Sequence, residues 1–300
     1  LILNKDISLD NQKILRQQIA AENFSLRFID VKKQMQNYTK LPLRGHFKEE
    51  TYFRLLLPDI LPDYNKILYL DSDMVVCADI AELFAEDITG YLLAACKDAD
   101  TAGLYNGFEP NKKQYMDTVL KIKKPYEYFQ AGVILFNLEE FRKTYTAENM
   151  MRFAMSYQWE LLDQDVLNYL AQGKTKFVNM EWNVMMDWRG QRIEKIISLA
   201  PYYLYDEYMR ARKQPKIIHY AGPDKPWHNP TNDFAEIFWD YARRTPYYET
   251  AMVRMLVRMK YNPKKKRPLL DNRFLRSIAG VLFPAGTKRR SKLKKLLRLH

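Results

Sequence analysis

The sequence predicts an α/β fold in which a mostly parallel sheet is covered by helices on both faces. Two observations carry this prediction. Short, dense apolar runs typical of buried strands recur along the 300 residues, and stretches with helical hydrophobic spacing lie between them. With 47% apolar and 28% charged residues, the composition is that of a globular chain and excludes a fibrous or wholly disordered one.

Each predicted element rests on a local pattern. A strand-like apolar run opens the chain, and Ser8 is a candidate N-cap for the helix after it. Alternation predicts a strand over 24–31, and a helix over 48–57 is expected to stop at Pro58. The remaining strands are predicted at 66–70, 91–96, 132–136 and 216–220, and the remaining helices near 147–157 and 162–171.

The same residues exclude two kinds of protein. No apolar run approaches the roughly 20 residues that span a bilayer. Cys77 and Cys96 stand in no metal or redox spacing, which argues against a zinc site and a disulfide scaffold. A reducing compartment is therefore expected.

The net charge of +12 is distributed unevenly along the chain. Residues 254–300 hold sixteen Lys or Arg and one acid, whereas the first 253 residues hold 32 basic and 35 acidic groups. The sequence therefore predicts two parts, a slightly acidic α/β domain over 1–253 and a basic, partly apolar, helical tail over 254–300.

Polar residues come directly after the predicted strands, at the edge where an α/β sheet binds its ligands. Asp71 and Asp73 close the strand 66–70, and His219 lies at the end of the last predicted strand. Carboxylates suit Mg²⁺ or Mn²⁺, and Mn²⁺ also accepts imidazole. Spacing alone decides little, because the chain has three Asp-x-Asp triplets, at 71–73, 98–100 and 163–165. A solvent-facing acid pair and a structural histidine remain the alternatives.

Two further segments are ambiguous on their own. Asp163 and Asp165 begin a predicted helix, where acids complement the helix dipole, but Gln164 between them suits hydrogen bonding to sugar hydroxyls. Gln130, before the strand 132–136, fits either a turn or a ligand contact. After His219, the flexible Gly222 and the cationic Lys225 would suit a phosphate group.

Taken together and in order, six stretches resemble glycosyltransferase family 8, in particular the bacterial lipopolysaccharide galactosyl- and glucosyltransferases, over about residues 1–240. The stretches are residues 51–55, 67–73, 94–98, 128–133, 163–168 and 219–228.

The resemblance implies a GT-A fold and retaining transfer of a galactose or glucose from a UDP-sugar, with Mn²⁺ or Mg²⁺ as the cofactor. It implies a metal site of Asp71, Asp73 and His219. The implied donor-binding residues are Arg54, Asp71, Gln130, Gly222 and Lys225, and the implied catalytic residues are Gln164, Asp163 and Asp98. With an amide at position 164, same-face attack guided by the departing phosphate is expected rather than a covalent intermediate.

Two departures from the family are expected. Gln130 stands where many relatives have Asn, which would alter the choice of donor. Leu1 aligns with the family's second strand, so the first strand and helix, which help to bind uracil, are expected to be missing from this sequence.

The basic tail fits attachment to an anionic membrane surface, where each charge near the surface contributes about 1 kcal/mol. A solvated tail without a partner is the alternative, and nucleic acid is not expected. The expected protein is thus a cytoplasmic enzyme at the inner face of the cell membrane, acting on a lipid-linked or other cell-surface glycan. The competing interpretation is a catalytically silent relative or fragment that acts as a membrane-docked binding protein.

Overall fold

The computed structural model of the chain describes residues 1–18, 22–45 and 48–260. The chain divides into two compact units, residues 1–251 and 252–300. The predicted basic tail lies outside the described residues beyond position 260, so its docking role stays a prediction. Among the residues that are described, no helix is both long and apolar enough to cross a membrane.

The described strands form three sheets of two, four and three strands, in the orders β1-β2, β3-β6-β5-β7 and β4-β9-β8. Their bounds are β1 Ile2–Asn4, β2 Phe28–Asp30, β3 Lys66–Leu70, β4 Met74–Val76, β5 Leu93–Lys97, β6 Phe129–Asn137, β7 Thr175–Val178, β8 Val184–Met185 and β9 Ile217–His219.

The described residues also form α-helices between and after the strands. They are α1 Leu9–Gln17, α2 Lys32–Met35, α3 Leu57–Ile60, α4 Ala81–Phe84, α5 Ala99–Gly103, α6 Lys112–Gln114, α7 Leu138–Thr144, α8 Ala147–Met155, α9 Asp163–Leu170, α10 Tyr202–Ala211, α11 Ala235–Ala242 and α12 Tyr248–Lys260. Segments of 3₁₀ or π helix lie at Glu49–Leu56, Leu104–Phe108, Tyr115–Val119, Pro125–Glu127, Met180–Asn183, Trp188–Gly190, Arg192–Ile196 and Ile197–Leu199.

The α/β class is confirmed, but the prediction of a mostly parallel sheet is wrong. β6 is antiparallel to both β3 and β5, and β4 is antiparallel to β9, whereas β1-β2, β5-β7 and β8-β9 are parallel. An apolar run shows that a strand is buried but not in which direction it runs, so the pattern could not reveal this.

The reversed direction of β6 positions the site. Because β6 pairs antiparallel with β3, in the register Leu70↔Val133, its first residues lie beside the last residues of β3. The backbone N–H of Asp71 donates to the oxygen of Gly132 at 2.9 Å. One sheet edge therefore combines the residues directly after β3 with those that begin β6.

Most local expectations hold, with shifted bounds. Ser8 caps α1, since its Oγ accepts the N–H of Asn11 at 3.3 Å. The predicted stop at Pro58 is wrong, because Pro58 lies in the first turn of α3, where a missing N–H costs nothing. The strand predicted over 24–31 shortens to β2, and the one predicted over 132–136 lengthens to β6.

The core lies on both faces of the four-stranded sheet. Along β6, Ile134 and Phe136 pack into a large cluster formed with α3, α7, α8 and α9. The alternate residues Val133 and Leu135 belong to smaller clusters that include residues of β3, β5 and β7. This two-sided burial explains why β6 is apolar at nearly every position rather than at alternate ones.

Candidate active site

Two carboxylates and one imidazole converge between β3, β4 and β9. Asp71 comes directly after β3, Asp73 precedes β4, and His219 ends β9 opposite Met74. The Nε2 atom of His219 lies 3.3 Å from Asp73 Oδ1 and 3.8 Å from Asp71 Oδ2. One possible ligand atom from each residue lies within 4.8 Å of the others.

This donor set fits a divalent cation. Two ligands bonded to the same ion at about 2.2 Å must lie within roughly 4.4 Å of each other, close to the spacing seen here. Two carboxylates favour Mg²⁺ or Mn²⁺, and the imidazole favours Mn²⁺. Asp71 and Asp73 are 23% and 22% exposed, which leaves the site open on one side for further ligands.

Positively charged and chargeable side chains contact the acid pair. The ammonium of Lys225 donates to Asp73 and, at 2.7 Å, to the backbone oxygen of Tyr220. Burial alone would raise the pKa of Asp73, but the hydrogen bond and charge of His219, together with Lys225, hold that pKa well below its usual range. Asp73 is therefore ionised, as a metal ligand must be.

Arg54 lies beneath the cluster and joins Asp71 to Asp163. Its guanidinium is 2.8 Å from Asp71 and 2.9 Å from Asp163, and it lies 4.4 Å from the ring centre of Tyr69. Burial would lower the pKa of Arg54, but Asp163 and Asp71 outweigh it and raise that pKa. A charged residue buried to this degree requires such partners.

Asp163 is buried and is not a solvated acid at a helix end. It accepts a hydrogen bond from the hydroxyl of Thr51 in addition to its ion pair with Arg54. Burial raises the pKa of Asp163 to about 6, against the opposing charge of Arg54 and the Thr51 hydrogen bond. The helix-dipole interpretation therefore does not account for this residue.

Gln164 is fixed at both ends of its amide. Its Oε1 accepts the N–H of Ala131 at 2.9 Å, and its Nε2 donates to Asp98 at 3.1 Å. Asp98 also caps α5, because it accepts the N–H of Thr101 at 3.1 Å. These contacts hold Gln164 and Asp98 together at the start of β6.

Asp165, by contrast, supports the turn before α9. Its carboxylate accepts hydrogen bonds from Tyr115 at 2.7 Å, Tyr128 at 2.6 Å and the backbone N–H of Leu161 at 2.8 Å. The intervening Leu162 has φ of 52°, a backbone conformation that costs a non-glycine residue energy. The network around Asp165 holds this turn and thereby places Asp163 and Gln164.

The loop after β9 needs a glycine. Gly222 has φ of 116°, where a side chain would be strained. The preceding oxygen, on Ala221, accepts a hydrogen bond of 3.2 Å from Arg192, which also pairs with Asp100 at 3.0 Å. Arg192 thus holds the start of the loop that carries Gly222 and Lys225.

Gln130 and a residue that the sequence did not reveal, Asn183, lie behind His219. Asn183 Oδ1 is 3.0 Å from His219 Nδ1, and Asn183 Nδ2 donates to Gln130 Oε1 at 2.6 Å. Gly132 allows the ring to lie against the strand, because a Cβ there would be 2.4 Å from His219 Cε1.

The structure brings the predicted residues into one neighbourhood. Direct contacts join Arg54, Asp71, Asp73, Asp163, His219 and Lys225, and the first residues of β6 connect Gln130, Gln164 and Asp98 to them. Asn183, Thr51 and Tyr69 were missed. Asn183 lies just before a strand, whereas the sequence pattern concerns polar residues just after one, so that pattern could not indicate it.

Comparison with known proteins assigns the class. The model of the family named Glycosyl transferase family 8 matches residues 1–231. The chain therefore belongs to glycosyl transferase family 8, as its six motifs indicated, and its fold is the GT-A fold of that family.

Three similar proteins are informative. A Haemophilus influenzae protein that is named as a glycosyltransferase is 30% identical to this chain. The match covers 76% of this chain and 63% of that protein. The lipopolysaccharide 1,2-glucosyltransferase of Escherichia coli is 26% identical, over 71% of this chain and 56% of its own. The galactosyltransferase LgtC, solved with donor and acceptor sugar analogues, is 28% identical with a TM-score of 0.62, over 81% of this chain and 84% of that one. The chain thus spans less than two thirds of the first two relatives.

Proposed function

We propose that this protein is a metal-dependent, retaining hexosyltransferase that moves galactose or glucose from a UDP-sugar to a glycan. The observation that carries the proposal is the convergence of Asp71, Asp73 and His219 beside the cationic Lys225. Two acids, an imidazole and an ammonium in one open site suit a divalent cation together with a diphosphate.

In this proposal the chain's own residues bind and orient the donor. Asp71, Asp73 and His219 hold the cation, which when bound stabilises the charge of a departing diphosphate. Lys225, on the loop that Gly222 bends, turns from Asp73 to the phosphate oxygens and adds a second positive charge. Arg54, itself buried, pairs with Asp71 and keeps that carboxylate in place.

Gln164 is proposed to lie beside the anomeric carbon. An amide oxygen can stabilise positive charge there but is a poor nucleophile, which favours same-face attack over a covalent intermediate. Asp98 and Asp163, fixed by Gln164 and Arg54 respectively, would contact the sugar hydroxyls, and Gln130 would contact the donor. A trapped glycosyl–Gln164 adduct would contradict this mechanism.

The proposed acceptor is a lipid-linked or cell-surface glycan. Support comes from the relative named as a lipopolysaccharide glucosyltransferase and from the basic composition of residues 254–300. In this proposal the tail attaches the protein to the cytoplasmic face of the membrane. Deleting residues 254–300 should then abolish sedimentation with vesicles rich in phosphatidylglycerol, and unchanged sedimentation would contradict attachment through the tail.

The test of the proposed site is a calorimetric titration of UDP into the purified chain with and without Mn²⁺. We expect binding that requires the metal, followed by slow hydrolysis of UDP-galactose or UDP-glucose without an acceptor. Metal-independent binding would contradict the assigned ligands. Absence of any UDP binding would favour the silent relative.

A further inference from the structure

Hydrogen bonds connect three groups to the imidazole of His219, namely the backbone of Gly132 and the side chains of Gln130 and Asn183. The backbone N–H of Gly132 donates to Gln130 Oε1 at 2.6 Å, and Asn183 Nδ2 donates to the same oxygen at 2.6 Å. Asn183 Oδ1 then faces His219 Nδ1 at 3.0 Å. Asn183 is 5% and His219 2% exposed, so water does not compete for the contact between these two side chains.

The chemistry of the groups fixes the direction of each of these hydrogen bonds. A backbone N–H can only donate, so the atom of Gln130 that meets Gly132 must be the carbonyl oxygen. The atom of Asn183 that meets this oxygen must in turn be the NH₂ group. Its carbonyl therefore points at His219 Nδ1, and that nitrogen must carry a proton to make the bond.

We propose that Asn183 is a positioning residue that holds a proton on Nδ1 of His219 and so reserves Nε2 for the metal. The inference rests on the proposed function, because it concerns the ligand of the proposed metal site. Nε2 is the nitrogen that faces Asp71 and Asp73. A neutral ring with its proton on Nε2 would instead direct the Nδ1 lone pair at a buried carbonyl oxygen, which is repulsive.

This arrangement differs from the frequent pairing of a ligand histidine with a carboxylate. A neutral amide orients the ring without adding negative charge to a site that already holds two acids. Gln130 acts one step further away, because its oxygen prevents the Asn183 amide from turning over. Position 130, a donor-contact residue in the proposed function, thereby also takes part in holding the metal ligand.

The experiment measures the affinity of the full chain for Mn²⁺ by the electron paramagnetic resonance signal of the free ion. Asn183→Leu keeps the approximate size of the side chain and removes the acceptor, and we expect about 10- to 100-fold weaker binding. Asn183→Asp also loses the bond to Gln130, but its carboxylate still accepts from His219 Nδ1. Its affinity for Mn²⁺ should therefore be close to that of the unaltered chain. Gln130→Glu places the same charge nearby while preserving both acceptor contacts, and therefore measures what the charge alone contributes.

A spectroscopic signature separates proton placement from a merely structural role. In protein labelled with ¹⁵N-histidine and loaded with diamagnetic Cd²⁺, long-range ¹H–¹⁵N spectra should show His219 Nδ1 bonded to hydrogen and Nε2 bonded to the metal. A His219→Gln variant assigns the signals among the four histidines of the chain. Metal bound at Nδ1 would overturn the proposal.

The affinities distinguish failure of this inference from failure of the proposed function. If the unaltered chain does not bind Mn²⁺, the metal site itself is wrong and the inference fails with it. If the chain binds Mn²⁺ and Asn183→Leu binds equally well, or if Asn183→Asp is as weak as Asn183→Leu, only the role of Asn183 is overturned. Should Asn183→Leu not fold, Gln130→Met answers the same question, because it frees the Asn183 amide to turn, and unchanged affinity there overturns the proposal.

Discussion

Two Asp-x-Asp triplets of this chain, 71–73 and 163–165, have the same spacing and contrasting surroundings. Asp71 and Asp73 are partly exposed, and their partners include the charged or chargeable groups of Arg54, Lys225 and His219, with the Tyr69 hydroxyl as a neutral donor to Asp71. Asp165 is completely buried, and its three partners are neutral donors. The contrast teaches that the partners of a carboxylate, rather than its place in a motif, separate a proposed ligand from a structural support.

The triplet at 163–165 itself contains both kinds of residue. Asp163 faces Arg54 and the site, whereas Asp165, two residues further along α9, faces Tyr115 and Tyr128 in the core. The triplet at 98–100 divides in a similar way, with Asp98 bonded to Gln164 and Asp100 paired with Arg192. One aspartate of each pair contacts a proposed site residue, and the other stabilises the loop or turn nearby.

The sharpest contrast should come from removing one acid of the proposed metal site. Asp73→Ala deletes a ligand but leaves Lys225 and His219 near a side open to water, so we expect at least about 100-fold weaker Mn²⁺-dependent UDP binding. The free energy of unfolding should fall by about 1–3 kcal/mol, because Asp73 is only partly exposed and loses its contacts with Lys225 and His219. Calorimetry and urea titration measure the two quantities. Asp240→Ala, which alters an exposed acid on α11, is the matched control and should change neither.

The opposite result is expected for Asp165. Asp165→Leu keeps the volume of the side chain but leaves two tyrosine hydroxyls and one backbone N–H buried without their acceptor. At about 1–3 kcal/mol for each unsatisfied group, the free energy of unfolding should fall by about 3–5 kcal/mol, allowing for some relaxation. Urea denaturation measures this fall. A loss no larger than that of Asp73→Ala would remove the distinction between the two triplets.

The pH dependence of stability should identify the buried Asp163. Its pKa rises from an ordinary 3.8 to about 6 in the folded protein, so between these values the folded state binds more protons than the unfolded state. The free energy of unfolding therefore falls as the pH rises through this window, by an amount on the order of 2 kcal/mol. Asp163→Asn should remove that part of the slope in urea titrations between pH 4 and pH 7. An identical slope in both proteins would contradict the raised pKa.

The smallest expected effect concerns the backbone of Leu162, in the turn before α9. Leu162 is buried at φ of 52° and ψ of −121°, so both Leu162→Ala and Leu162→Gly lose its packing, but only glycine relieves the strain. We expect the glycine variant to be more stable than the alanine variant by about 1 kcal/mol, the reverse of the usual order. Thermal denaturation of the two variants measures the difference. An alanine variant of equal or higher stability would show that the turn stores no strain.

Local patterns predicted the elements and many of the site residues for a simple physical reason. A buried strand must be apolar, and the first polar residues after it lie at the sheet edge, which places Asp71 and His219. The family motifs added Arg54 and gave expected roles to Gln164 and Lys225, which the local pattern had left ambiguous. Their roles in catalysis stay predictions.

The rest depends on contacts between distant parts of the chain. Strand direction could not be predicted, and it is the antiparallel course of β6 that places Gln130 beside the end of β3. Arg54 meets Asp163, and Asn183 meets His219, through folding that brings residues far apart in sequence together. A local pattern contains no information about such partners, so Asn183 and the structural role of Asp165 became visible only in three dimensions.

The absence of a side chain at Gly132 has a consequence for how the proposed metal site would take up an ion. Because the His219 ring lies against bare backbone, with Asn183 at one nitrogen and the acids at the other, the ring has already lost its rotational freedom in the folded chain. A cation that bound to the proposed site would not need to order this side chain, because the entropy of ordering it has already been lost during folding. Any larger residue at position 132 would displace the ring and separate the ligand from its partners, even though the residue itself binds nothing.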